Sequence, residues 1–282
     1  MRTIPDIKLI YETFVKAENS ANRENRYDGK ESFFSASQSG LCTRKKYYDS
    51  HPEIPITNHS NTVSNFRMRL GTVLHSDLEK AVQLFSAKSL DKLMEKRKNK
   101  VANKKEAFNS KRREEELYSL IETILKQNIK EVYTEQEVFL KKWNVRGHYD
   151  AVFEMENGEI HLFDFKTVSA WGYTKKFGRK HNREKFPSIH HELQLATYGL
   201  AIREIFGRLD GMFLFYKNKN NSSTKTSEVS PTYLRQAEVY WAEVKIEFEK
   251  GKPQRRDGVS PVYPWECDYC NYKDYCQKID KE

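Results

Sequence analysis

Near Val132 the apolar residues stop following a helical period and break into short runs, and this change constrains the fold more than any other feature of the 282-residue chain. Strands are predicted over 133–143, 147–155 and 159–168, joined by turns at Trp143-Asn144-Val145 and Glu156-Asn157-Gly158. The Asn-Gly of the second turn is a hairpin signal. A loop over 175–185, rich in basic residues, leads to Pro187, which suits the first turn of a helix reaching about Phe206. A buried strand over 211–216, a polar loop over 217–230 and a helix over 231–250 complete this part. The tail beyond reads as extended.

Upstream of Val132 the period is helical. A first helix covers 5–25, and Ser35 or Ser37 caps a second that carries Cys42, Arg44, Tyr47 and Tyr48. After a Pro- and Asn-containing loop over 51–65, a longer helix presents Leu70, Leu74, Leu78, Ala81 and Phe85 as one stripe, and another lies near 114–130. Helices, an antiparallel meander, a helix, a strand and a helix make a mixed α/β (α+β) domain with helical additions.

Charge points toward an anionic partner. Lys and Arg number 49 against 40 Asp and Glu, a net +9, and the segment from Lys88 to Arg113 holds eleven Lys/Arg against three acids. Such a segment reads equally as a solvated helical arm or as a phosphate-contacting surface. Sixteen Phe and sixteen Tyr argue against disorder. No apolar run is long enough to span a membrane, and the N-terminus has no signal-peptide pattern. A soluble, cytoplasmic protein is expected.

The four cysteines are uneven: Cys42 stands alone, while Cys267, Cys270 and Cys276 form C-x2-C-x5-C near the C-terminus. A C-x2-C pair on a turn aims two thiolates at one ligand, the third follows after a short loop, and Cys42 is then the fourth. Zinc with four thiolates is one solution, although zinc ribbons usually bring two C-x2-C pairs. One remote cysteine with a compact triplet also suits a four-iron four-sulfur cluster.

Asp164 and Lys166 flank Phe165 at the end of an apolar run, so in a strand both point to one face. They form either a surface ion pair of little worth or half of a metal site, with Asp150 on the partner strand as the second carboxylate. His75 and Glu79 stand one helical turn apart beside the apolar stripe, and Gln194 and Tyr198 share the same spacing after the Asp-x-Lys strand. Each pair alone reads as ordinary core or surface; their joint order carries the signal.

In that order the sequence resembles the PD-(D/E)XK nucleases, and within them the RecB-like iron–sulfur exonuclease branch, which includes CRISPR-associated and phage enzymes. Leu41-Cys42-Thr43-Arg44 with Tyr47-Tyr48 resembles the N-terminal cysteine motif, and Gly71-Thr72-Val73-Leu74-His75 the Gly-x-x-x-His motif. Gly147-His148-Tyr149-Asp150 resembles Gly-x-x-Asp, Asp164-Phe165-Lys166-Thr167 resembles (Asp/Glu)-x-Lys-Thr, and Gln194-x-x-x-Tyr198 the motif that marks the RecB-like branch. Cys267, Cys270 and Cys276 have the spacing of the C-terminal cluster motif. Two departures are visible: Tyr149 stands where the superfamily name has proline, and Asp164 is one methylene shorter than glutamate. The basic segment 88–113 has no counterpart in the motifs.

The resemblance implies a PD-(D/E)XK core over 131–250 with a mixed central sheet flanked by helices. It also implies a helical region over 1–130 and a cysteine region over 251–282, all in one unit. It implies Mg²⁺ or Mn²⁺ held by His75, Asp150, Asp164 and the Phe165 carbonyl, with Lys166 positioning the attacking water and Gln194 and Tyr198 near the scissile phosphate. Cys42, Cys267, Cys270 and Cys276 would hold a structural four-iron four-sulfur cluster. Arg44, Lys175, Lys176, Arg179 and Lys180 are candidates for DNA-backbone contacts. The implied substrate is single-stranded DNA, cut from an end with 5′→3′ polarity favoured. A helicase or a recombination or adaptation protein would be the natural partner, and self-association is compatible with it. The alternatives are an endonuclease of the same fold and a zinc-containing DNA-binding protein without catalysis.

Overall fold

The structure, a computed structural model, describes residues 13, 15, 34–51, 53–58, 62–84, 119–121, 123–124, 126–183, 189–251 and 263–279. One mixed six-stranded sheet organises them. Strands β2 (Ile129–Leu140), β3 (Val145–Met155) and β4 (Ile160–Val168) form the antiparallel meander. β5 (Gly211–Asn218) adds in parallel to β4, and β6 (Thr224–Glu228) pairs antiparallel with β5 at the edge. The two-residue strand β1 (Phe34–Ser35) pairs in parallel with the start of β3, which β4 does not reach.

Helix α1 (Thr43–Asp49) follows β1, and α2 (Thr62–Leu84) crosses onto β4 and β2. After β4 comes the short α3 (Ala170–Phe177), capped by Ser169 Oγ, which accepts from the Gly172 N–H. α4 (His190–Phe206) is buried along every face from Leu193 to Ile202 and packs between the sheet and α5 (Thr232–Glu249). Two short helices, α6 (Pro264–Asp268) and α7 (Lys273–Ile279), end the described chain.

A helix buried all round must pair its polar side chains. Thr197 Oγ1 accepts from the Trp241 indole N–H at 2.9 Å and donates to Leu193 O at 2.8 Å. The core around α4 joins Val138, Val145, Val152, Leu162, Leu195, Leu200, Ile202, Leu214 and Trp241. At about 25 cal/mol per Å² of apolar surface, each fully buried side chain of this size contributes roughly 1.5–3 kcal/mol.

The meander is where the sequence pattern places it, with boundaries shifted by a few residues. β2 begins at Ile129 rather than Tyr133, and 141–143 form a 3-10 turn closed by Asn144 in the left-handed region (φ 56°). Several expectations fail. Residues 35–38 are strand and 3-10 turn, so Cys42 itself, not Ser35 or Ser37, precedes α1. The loop over 175–185 includes the end of α3, and the loop over 217–230 contains β6, a polar strand whose exposed edge position needs no apolar alternation. Of the tail expected to be extended, 252–262 lie outside the described residues, and from Pro264 it is helical, with Cys267 on α6, Cys276 on α7 and Cys270 between them. Leu70, assigned to the buried stripe of α2, is 44% exposed; α2 turns His75 and Glu79 inward instead. Of the predicted helix over 5–25 only Thr13 and Val15 are described, both helical, and Pro187 and the basic segment 88–113 lie outside the described residues.

Candidate active site

Hydrogen-bonded pairing between β3 and β4 runs from Glu154↔Ile160 to Ala151↔Phe163 and ends there. One step further, the same register would bring Asp150 opposite Asp164. The strands part at this point, and the Asp150 carboxylate takes the Phe165 backbone N–H that the ladder leaves over. On the other edge of β3 the pairing with β2 also skips a step, between Thr134↔Ala151 and Gln136↔Tyr149. The skipped residue, Glu135, has φ 50°. A non-glycine residue in that region within a strand is uncommon and re-aims its side chain. Tyr133 packs toward the core on one side of Glu135 and Val138 and Leu140 on the other, so the alternation changes phase there. Asp150 thus sits where the sheet opens on both sides.

Two glycines let helices approach this opening. A Cβ on Gly147 would lie 2.9 Å from both the Tyr198 ring and the Ala36 Cβ, so its absence lets α4 set Tyr198 against β3. A Cβ on Gly71 would come within 3.2 Å of Thr167 Oγ1, at the end of β4, which brings α2 and His75 over the sheet. The glycines of Gly-x-x-x-His and Gly-x-x-Asp therefore act through packing.

Around the opening the side chains form one chain of contacts. His75 Nε2 lies 2.9 Å from Asp150 Oδ2, and its Nδ1 meets Glu79. Lys166 Nζ lies 2.6 Å from Asp164 Oδ2 and donates to Gln194 Oε1 at 2.9 Å, and Gln194 Nε2 reaches Tyr198 Oη at 3.4 Å. The Phe165 ring meets the His75 ring edge-on, 5.9 Å between centroids. His75, Asp150, Asp164, Phe165, Lys166, Gln194 and Tyr198 are brought together.

Burial and crowding of like charge shape the electrostatics. Burial, with the nearby Asp150 charge, raises Asp164 to about 7 despite Lys166. Partial burial pulls His75 down, but the hydrogen bond and charge of Asp150 and the charge of Glu79 outweigh it and lift the imidazole to about 9. Glu135 rises to about 7 through burial and the carboxylates of Glu79 and Asp150. Glu79, Glu135, Asp150 and Asp164 place four carboxylates around one imidazole and one ammonium. His75, Glu79 and Glu135 each offer a ligand atom within 4.8 Å of the others. Asp164, 1% exposed, receives no well-formed hydrogen bond on either oxygen. Lys166 faces Oδ2, but Oδ1 has no partner and Asp150 adds like charge beside it, so this donor set fits a divalent metal.

Glu135 escaped the sequence reading. Its signal is the change of phase between Tyr133 and Val138, which only a search for irregular strands would notice. Glu79 was visible as the partner of His75 but had no assigned role.

Among the basic candidates, Arg44 is corrected. It is 7% exposed and its Nη1 points to Cys276 Sγ at 3.3 Å, so it serves the cysteine region and not a DNA surface. Lys176 pairs with Glu192 at 2.7 Å, Lys175 lies over the exposed Trp171 ring at 5.6 Å, and Arg179 and Lys180 are exposed.

The cysteines converge on one cavity, lined by Cys42, Arg44, Lys45, Tyr48, Glu266, Cys267, Cys270, Lys273 and Cys276. The Cys42 N–H donates to Glu266 Oε2 at 2.8 Å, and Asn58 Nδ2 to Cys270 O at 3.0 Å. Tyr48 packs against Tyr272 and Tyr275 at 5.3 and 5.4 Å. Burial raises the Cys42 and Cys270 thiols above their ordinary range. All four are free of disulfides.

A parting of two strands that sets paired, buried carboxylates beside a lysine is the arrangement of a metal-assisted hydrolase site. The chain belongs to the PD-(D/E)XK nuclease superfamily, whose family model matches residues 42–277. Members of that superfamily are metal-dependent nucleases that use divalent ions such as Mg²⁺ or Mn²⁺. Among solved structures, SSO0001 is 18% identical, with 95% of this chain and 96% of that one covered and a TM-score of 0.47. A "Putative exonuclease" from Eubacterium rectale is 13% identical, with 89% and 85% covered and a TM-score of 0.35. No curated protein matches the sequence. No helix among the described residues is long and apolar enough to cross a membrane.

Proposed function

We propose that this protein is a divalent-metal-dependent exonuclease acting on single-stranded DNA, with 5′→3′ polarity the favoured direction. The observation that carries the hydrolytic reading is the Asp164–Lys166 pair set beside Asp150 at the opening of the sheet. A divalent ion held by His75, Asp150, Asp164 and the Phe165 carbonyl would supply charge that polarises the phosphodiester. The chain's own residues do the rest. Asp164 and Gln194 together fix the Lys166 ammonium, which orients a water for in-line attack by donating to its oxygen and offsets the negative charge that gathers on the phosphate. Gln194 also ties Lys166 to Tyr198, whose hydroxyl burial keeps protonated and able to donate toward a phosphate oxygen. Glu79, through His75 Nδ1, orients the imidazole. No base-reading element is evident in the sequence, so strand type and end, rather than sequence, would set the preference.

The four cysteines around one cavity, one remote and three compact in sequence, are read as ligands of a four-iron four-sulfur cluster, with zinc as the alternative. The cluster would clip the two ends of the chain together. Any unwinding of duplex would need a separate helicase, since the sequence has no phosphate-binding Gly-x4-Gly-Lys-(Ser/Thr).

The test is cleavage of single-stranded DNA blocked at one end or the other, with Mn²⁺, by the wild type and Asp164→Ala. Protection by a 5′ block and loss of cleavage in the variant are expected. Cleavage indifferent to both blocks makes the enzyme an endonuclease. A folded, cluster-loaded wild type that cuts nothing leaves a binding protein. Iron and sulfide analysis separates the cluster from zinc.

A further inference from the structure

The cysteine region and the carboxylate site meet at an aromatic platform. The Tyr263 and Trp265 rings lie parallel, with centroids 5.9 Å apart and planes 4° apart. His190, the first residue of α4, stands 5.5 Å from Trp265 and 6.0 Å from Tyr263, centroid to centroid. One helical turn further along α4 is Gln194, which holds Lys166. His190 is also near enough to Lys166 and Lys176 for both charges to act on it. The platform therefore borders the lysine end of the site.

Its construction differs from that of a core aromatic cluster. Trp265 is 40% exposed, although tryptophan is usually among the more buried residues. Tyr263 is held from two directions: its N–H donates to Glu266 Oε1 at 3.0 Å, and its hydroxyl accepts the Ile189 N–H at 3.1 Å. The other oxygen of Glu266 accepts the Cys42 N–H. One carboxylate thus fastens the aromatic pair to the first cysteine, and Trp265 stands two residues before the second. A rigid, backed, solvent-facing indole beside a basic rim is the arrangement that accepts an unpaired base. The rim is supplied by Lys166 and Lys176, the two charges close enough to act on His190 beneath the platform.

We propose that Trp265, backed by Tyr263, is a stacking platform for one unpaired base of the DNA strand lying in the site. This rests on the nuclease reading and gives it a source of single-strand preference. Every unpaired base has a free face to stack, whereas the faces inside a duplex are already covered. The cysteine region then has a task beyond stability, because it holds the platform at a set distance from Lys166.

The experiment measures binding of a fluorescent twelve-residue oligo-dT and of a duplex of equal length, with Ca²⁺ replacing the catalytic ion. Wild type, Trp265→Ala and Trp265→Phe are compared. Trp265→Ala is expected to weaken oligo-dT binding about tenfold and to leave duplex binding unchanged, and Trp265→Phe to restore most of the loss. An abasic residue moved along the oligonucleotide should cost the wild type a similar factor at one position and cost Trp265→Ala nothing more there. Equal binding of oligo-dT by the wild type and Trp265→Ala overturns the proposal. So does an equal loss for single strand and duplex, accompanied by loss of iron, which marks a structural aromatic. If Trp265→Ala does not fold, the abasic series on the wild type decides, and no position costing more than twofold overturns the platform. Cleavage with Mn²⁺ is followed in parallel. Cleavage without a stacking signature defeats the platform alone, and a stacking signature without cleavage defeats the nuclease reading alone.

Discussion

The carboxylate site and the cysteine site are both gathered from distant parts of the chain, but they are held in different ways. Asp150, Asp164 and Lys166 stand on strands paired through most of their length, and Gln194 and Tyr198 on a helix buried in the core. Their contacts of 2.6–2.9 Å are in place before any ion is considered. Cys42 precedes a seven-residue helix, Cys267 and Cys276 stand on two further short ones and Cys270 between them, and of the described residues from 263 onward only Tyr272 is a buried apolar one. Their sulfurs line one cavity. The first site is preorganised by the fold. On the proposed reading the second would be completed by its ligand, whose binding energy would become folding energy for the ends of the chain.

If that contrast is right, the two sites respond oppositely to mutation. Asp164→Asn should reduce cleavage on the order of a thousandfold, read in single-turnover kinetics, while the Tm stays level or rises. The buried carboxylate is disfavoured in the folded chain, so removing its charge costs no stability. A fall of several degrees in Tm would show that the pair is structural. Cys276→Ala should do the reverse: iron content drops, the Tm falls by on the order of 5–10 °C, and residual activity follows the folded fraction. An unchanged iron content and Tm would remove the structural role of the cluster.

The border between the sites has its own pH signature. Burial, then the charges of Lys166 and Lys176, lowers His190 from 6.5 to about 4, and burial beside His190 depresses His191 well below its ordinary value. Both are neutral in the folded chain where the unfolded chain binds protons. Their contribution is complete above about pH 6.5 and is lost as the pH falls toward 4, on the order of 3 kcal/mol for His190. Denaturant melts of wild type and His190→Gln across that window check it, and parallel curves for the two proteins would contradict it. The smallest effect is expected at the rim: Glu135→Gln should weaken Mn²⁺ binding about tenfold without altering the fold. Calorimetric titration reads this, and an unchanged affinity would exclude Glu135 from the metal's surroundings.

Much of this was legible because the motifs combine chemistry with packing. Gly71 and Gly147 mark where helices touch strands, and the i, i+4 spacing of Gln194 and Tyr198 is a statement about one helix face. The residues that escaped are those whose meaning depends on a break in regularity. Glu135 looks like any exposed strand residue until the skipped pair opposite Asp150 turns it. Arg44 looks like a phosphate ligand until burial directs it to Cys276.

The sequence by itself determined the meander, the two helices that close on it and the residue types of both sites, because strand alternation, helical period and ligand chemistry are local properties. Only the tertiary structure decided where the sheet opens, that Glu135 joins the carboxylates around His75, and that an aromatic pair joins the cysteines to the lysine. Those facts depend on register and on approaches between residues far apart in the chain, which no local pattern encodes.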